Sequence, residues 1–212
     1  MNFKKIILYR EPAISEINID ALVVFLQENF PIKVEIKDNV FKEFSLENIK
    51  KLSNIRITDI KSSFSEHKSS DGEIEFERKL CEDSSLMDST TKVENAQQIS
   101  DVFMYDGFEL QKILRYLSED SETLHIILTN RLTCTFDEND NRYHGRAVIC
   151  ANPSIISTTG IVEAPAKPKE YYFEVMKLKT QGLDIKSAKE KYKGKFLEYN
   201  DKRLTKILEG YI

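Results

Sequence analysis

Short apolar runs alternating with amphipathic stretches fill the first sixty residues, and they restrict the chain to folds in which helices cover a sheet. Residues 5–9 (KIILY) form a buried-strand pattern that Arg10-Glu11-Pro12 stops. Asn18 is placed to cap a helix over residues 20–30, with Asp20 in its first turn. Residues 21–26 are apolar on most sides, which predicts a helix lying deep against a sheet, and Pro31 ends it. Residues 33–36 (KVEI) read as a second strand. Ser45 opens a second helix with Leu46, Ile49 and Leu52 on one face, and Asn54 closes it. Residues 55–60 (IRITDI) alternate with period two, a third strand. The order β-α-β-α-β predicts a mixed α/β domain.

The pattern then breaks. Residues 62–100 hold nine serines and nine acids against four basic residues, which reads as an acidic insertion within one domain spanning 1–212. Its middle, residues 73–78 (EIEFER), alternates like an exposed strand, and residues 62–70 are expected to be mobile. Asp106 and Glu109 have the spacing of a capping box, Tyr105 and Leu110 that of a hydrophobic staple, and Leu110, Ile113, Leu114 and Leu117 form one stripe. Residues 123–129 (TLHIILT) are a strand. Residues 132–136 and 145–151 are strands flanking the polar DENDNRYH, and residues 153–162 are β-prone around a Ser157-Thr158-Thr159-Gly160 turn. Beyond Pro165 and Pro168 the chain reads as helical and basic over 168–212, punctuated by Gly182 and Gly194. Leu204, Ile207, Leu208 and Tyr211 make an apolar stripe that must dock on something, because so short a helix is unstable alone.

With 41% hydrophobic and 31% charged residues, a packed core forms readily. A net charge of -4 argues against a surface built to grip nucleic acid or anionic lipid, so neither a nucleic-acid nor a membrane partner is expected. Residues 167–206 carry eleven Lys and one Arg against six acids, an excess of six that reads as solvated helix faces. No apolar run approaches the roughly 18–20 residues of a membrane span. Cys81, Cys134 and Cys150 are an odd set without CxxC, Cys134 and Cys150 lying in apolar runs as buried thiols, and a cytoplasmic location is expected.

The densest polar cluster is Asp137 to Arg146. Asp137, Asn139 and Asn141 start like a calcium loop, but Arg142 stands where the turn glycine belongs and Val148 where the bidentate acid belongs. Arg142, His144 and Arg146 alternate onto one face of an extended segment, a cationic patch suited to a carboxylate or phosphate. Paired with Asp137, Glu138 and Asp140, the same arginines would only hold the hairpin. His125 reads as a strand histidine satisfied by its neighbours, and His67 as solvent-facing. Thr158 and Thr159 offer hydroxyls to an anion, and Glu163 is a strand-end acid placed to act as a base or to pair with Lys167 or Lys169.

The run RLTCTFDENDNRYHGRAVICANPSIISTTGIVEAPAKPKEYY, with the opening ILYREPAISEINIDALVVFLQENFP, resembles an archaeal metallopeptidase family akin to archaemetzincins. The resemblance implies a metzincin-like mixed sheet with flanking helices, peptide hydrolysis, and zinc as cofactor. Under that metal-dependent reading His144 is the one candidate for a metal ligand or an electrophilic stabiliser, and Glu163 the candidate base. Arg142, Arg146, Thr158, Thr159 and Tyr171 become substrate contacts. The departure is that HExxHxxGxxH is missing, and the helix over 169–181, which carries Tyr171 and Glu174, has no histidine. Relatives are expected to run beyond the position of Ile212 and to complete a site there. The rival expectation is a non-catalytic domain using the Arg-His-Arg face for an acidic partner.

Overall fold

The computed structural model describes residues 3–11, 16–83, 103–199 and 201–212. Strand β1 (Lys5–Arg10) pairs in parallel with β2 (Lys33–Lys37) on one side and β4 (Thr123–Thr129) on the other. Strand β8 (Ser154–Ser157) extends the parallel set from β4, and β7 (Val148–Ile149) closes it antiparallel, giving the order β2-β1-β4-β8-β7. A second sheet runs β3 (Met104–Asp106), β5 (Leu132–Asp137), β6 (Arg142–Arg146), with β3 and β5 parallel and β5 and β6 antiparallel. The fold is mixed α/β, as the alternating pattern predicts.

Alternation along the central strands supplies two cores. Ile6, Leu8, Ile126, Leu128 and Ile156 face one side, against α1 (Ile19–Asn29), α5 (Thr158–Glu163) and α8 (Leu204–Leu208). Ile7, Tyr9, Ile127 and Ile155 face the other, against α2 (Leu46–Asn54), α3 (Asp71–Glu82) and α4 (Gly107–Leu114). A strand covered on both faces must be apolar throughout, which is why these runs read so clearly. Side-chain caps set the helix starts: Asn18 Oδ1 accepts from Ala21 N at 3.0 Å, Ser45 Oγ from Asn48 N at 3.3 Å, and Asp106 Oδ1 from Phe108 N and Glu109 N at 3.0 Å. Helix α6 (Lys169–Thr180) and α7 (Lys186–Lys191) follow the proline corner, and Gly182 and Gly194 adopt φ of 67° and 79°, the left-handed stops expected of them.

Several expectations are corrected. Residues 73–78 are not a strand but the body of α3. Ser70 and Glu73 form a reciprocal capping box, and Glu77, Leu80 and Cys81 are buried at helical spacing. A buried glutamate broke the apolar stripe and hid it. Residues 55–60 are not a strand: they make a single bridge, Arg56 to Tyr105, and the Ile60 carbonyl then accepts from Tyr143 N of β6 at 2.8 Å. Ser157-Thr158-Thr159-Gly160 is a helix start, with Ser157 Oγ accepting from Gly160 N at 2.8 Å. The strand expected over 145–151 divides at Ala147 between the two sheets, so Cys150 is exposed rather than buried. His67 is half-buried, its Nε2 3.0 Å from Glu73 Oε1, and Ser69 N donates to Asn54 Oδ1 at 3.2 Å, tying this loop to the end of α2. Residues 84–100, the rest of the serine-rich stretch, lie outside the described residues. No helix among those described is long and apolar enough to cross a membrane.

Candidate metal centre

The hairpin β5–β6 carries the cluster. Register pairs Asp137 with Arg142, Thr135 with His144 and Thr133 with Arg146, so these six share one face. The other face holds Leu132, Cys134 and Tyr143 in a small core with Ile57, Met104 and Phe136. Asn141 closes the turn at φ 52°, a left-handed conformation that asparagine tolerates better than most residues. This turn folds Asp140 back over His144, whose Nε2 lies 2.8 Å from Asp140 Oδ2. Asp140 Oδ2 also accepts from Arg142 Nε at 2.9 Å. The His144 contact, supported by Arg142, holds the Asp140 carboxyl below its ordinary pKa and therefore ionised. Asp137 is oriented by its own loop: Oδ1 accepts from Asn139 N and Asn139 Nδ2, both at 2.9 Å.

Asp137, Asp140 and His144 each present one ligand atom, and the three atoms lie within 4.8 Å of one another. Two carboxylates and an imidazole are a donor set that fits a divalent ion with one position left open, as in catalytic zinc sites. The sequence signal for it is Asp-x-x-Asp-x-x-x-His across a tight turn. Asp140 and His144 are four apart, but across a hairpin turn rather than on a helix as in a zincin, and the loop is not a calcium loop, so the two aspartates read only as partners for arginine.

The remaining expected site residues fall elsewhere. Arg146 lies on the His144 face, its Nε donating to Thr135 Oγ1 at 2.7 Å. Thr158 and Thr159 are buried, and their hydroxyls are used internally. Thr158 Oγ1 donates to Asn130 Oδ1 at 2.8 Å, and Thr159 Oγ1 to the Asn130 carbonyl at 2.7 Å. Glu163 ends α5, where Tyr199 Oη donates to its Oε1 at 2.9 Å and Lys167 Nζ stands 3.9 Å from Oε2. The end of α5 packs on the Gly145 side of β6, where a Cβ on Gly145 would meet Ala164 at 3.6 Å. Alternation sends His144 to the opposite side, so Glu163 and His144 are not brought together. Tyr171 is buried among Tyr192 and Phe196, and burial raises its pKa.

A second polar cluster has no counterpart in the sequence reading. β1 and β4 are neighbours whose chains leave towards opposite edges of the sheet, the position where open α/β sheets usually bind ligands. Here that position is filled. Arg131, fully buried just after β4, pairs with Glu11 just after β1 and reaches Glu77 Oε1 of α3 at 3.1 Å through Nη2. Glu11 Oε2 also accepts from Thr129 Oγ1 at 2.5 Å and Asn130 N at 2.9 Å. Glu77 Oε2 accepts from Arg56 Nε at 2.8 Å and Tyr105 Oη at 2.9 Å. The Phe41 ring covers the Arg131 guanidinium with its centroid 4.0 Å from Cζ. Burial disfavours the Arg131 charge, but the Glu11 and Glu77 carboxylates outweigh it and hold its pKa well above the ordinary value. Two arginines balance two glutamates. This cluster joins the sheet to α3.

The chain matches the family described as "Probable metallopeptidase family (DUF6775)" over residues 2–212, and it belongs to that family. Comparison with curated proteins and with solved structures finds no match.

Proposed function

We propose that this member of a metallopeptidase family is a metal-dependent hydrolase of peptides, with Asp137, Asp140 and His144 as the metal ligands. The convergence of these three ligand atoms within 4.8 Å on one hairpin carries the reading. A divalent ion there, zinc by the resemblance, would polarise a peptide carbonyl and lower the pKa of a bound water. The other roles fall to the protein. Asp140 Oδ2 is shared by His144 and Arg142, so committing it to a metal frees the Arg142 guanidinium beside the site. Arg142 then offers a forked donor to a substrate carboxylate, with Arg146 on the same face. Thr158, Thr159 and Tyr171, tied up inside the protein, take no direct part. Glu163, on the other side of β6 and held by Tyr199 and Lys167, is not the base at this site. Three free cysteines suit a reducing cytoplasm.

The test is hydrolysis of a peptide library by the metal-loaded chain, read by mass spectrometry. Cleavage that chelation removes and that His144→Ala and Asp137→Asn abolish is expected. Cleavage that survives both substitutions would reject these ligands. Metal binding without cleavage would favour the rival reading, a non-catalytic domain in which Arg142 and Arg146 hold an acidic partner.

A further inference from the structure

Helix α6 buries one side and leaves the other bare. Tyr171 and Leu178 pack with Ala188 and Tyr192, whereas Phe173 is 68% exposed, Met176 65% and Tyr172 50%. Leu183, just past the helix, is 55% exposed. Other exposed apolar side chains are spread over the surface, but here three fall within five residues, and such a concentration marks an interaction face. At 3.6 residues per turn, Lys169, Phe173, Met176 and Thr180 share one stripe, with Lys177 on one flank and Tyr172 and Lys179 on the other. The three lysines are exposed. Glu170 is the acid at the edge of this face, while Glu174 turns away to Lys191, whose Nζ is 3.3 Å from its Oε2.

Charge shows what such a face would meet. On the face itself Lys169, Lys177 and Lys179 stand against the single acid Glu170. The wider segment 167–206 carries an excess of six positive charges in a chain of net charge -4, which leaves -10 for the remainder. The whole-chain balance, which argues against a lipid partner, averages over this polarity. We propose that the outer face of α6 docks the protein on an anionic lipid surface, with Phe173 and Met176 entering the head-group region and the lysines engaging lipid phosphates. The acidic remainder is repelled, so the molecule is held in one orientation. Side chains projecting singly from a helix suit a deformable surface, whereas a protein partner would have to supply a matching groove. This inference does not depend on the metal reading.

Sedimentation of the full chain with large vesicles of phosphatidylcholine, with and without phosphatidylglycerol, tests it. Binding is expected only with phosphatidylglycerol, and is expected to weaken as salt is raised. Each of Lys169→Gln, Lys177→Gln and Lys179→Gln should reduce it by about fivefold. Phe173→Ser with Met176→Ser should reduce it by about tenfold or more. Both positions are exposed, so an unchanged melting curve will confirm that this variant folds. No binding to phosphatidylglycerol vesicles, or binding that survives the double substitution, overturns the proposal. Self-association in solution that the double substitution abolishes, without vesicle binding, overturns it in favour of a second copy of the chain.

Discussion

At Arg131 a full positive charge sits at 0% exposure, stable only because two carboxylates and an aromatic face replace its water. Arg131→Met should therefore cost about 3–5 kcal/mol in urea denaturation, since it strands the Glu11 carboxylate. Adding Glu11→Gln should recover part of that loss, because the two positions are coupled. A single-variant cost under about 1 kcal/mol would show that the network is dispensable. The cysteines separate by the same logic. Burial pushes the Cys81 and Cys134 thiols up to about 12, whereas Cys150 is exposed. Native protein should expose one thiol to an alkylating reagent, and denatured protein three. Two or more rapidly modified thiols in the folded state would contradict the packing of Cys81 beside Arg131 or of Cys134 under the hairpin.

Among the elements, α3 depends most on a surface carboxylate. The Ser70 N–H and hydroxyl, with His67, lower the Glu73 pKa from 4.5 to about 2. A depressed carboxyl pKa stabilises the fold above its unfolded value, so this capping contribution is complete above pH 4.5 and is lost as pH falls towards 2. Amide exchange in the first turn of α3 should accelerate over that window, and Glu73→Gln should flatten the dependence. Helix α8 depends on burial. Leu204 and Leu208 are 0% exposed against α1, and Asn18 N donates to Thr205 Oγ1 at 2.9 Å. Leu204→Ala and Leu208→Ala should each cost about 2–5 kcal/mol. An unchanged melting curve for both would detach this helix from the core.

These elements also show what a sequence makes legible. The caps at Asn18, Ser45 and Asp106 and the Leu204–Leu208 part of the last-helix stripe were readable because each signal is local, and the central strands because each apolar run is buried on both faces. Tyr211, the last position of that stripe, is exposed beyond the helix. Helix α3 was misread because its inner face carries Glu77, whose partners Arg56, Tyr105 and Arg131 come from distant segments. The candidate metal cluster was half legible. His144 and its arginines follow from strand alternation, but Asp140 reaches the imidazole only because Asn141 turns the chain left-handed.

For the whole molecule, the two polar centres divide the work. The buried Arg131 network fills the crevice at the ends of β1 and β4 and so fixes α3 and the second sheet upon the first. The hairpin of that second sheet then presents Asp137, Asp140 and His144 outward, on a support whose reverse face is packed by Cys134, Phe136 and Tyr143. Family membership supplies the expectation of a metal, and this hairpin supplies the candidate ligands proposed for it. The most direct test is a zinc titration of the purified chain by calorimetry, beside His144→Ala and Asp137→Asn. One ion per chain, bound by the native protein and weakened at least tenfold in each variant, is the predicted result. No stoichiometric binding, or equal binding by all three proteins, would contradict the central claim.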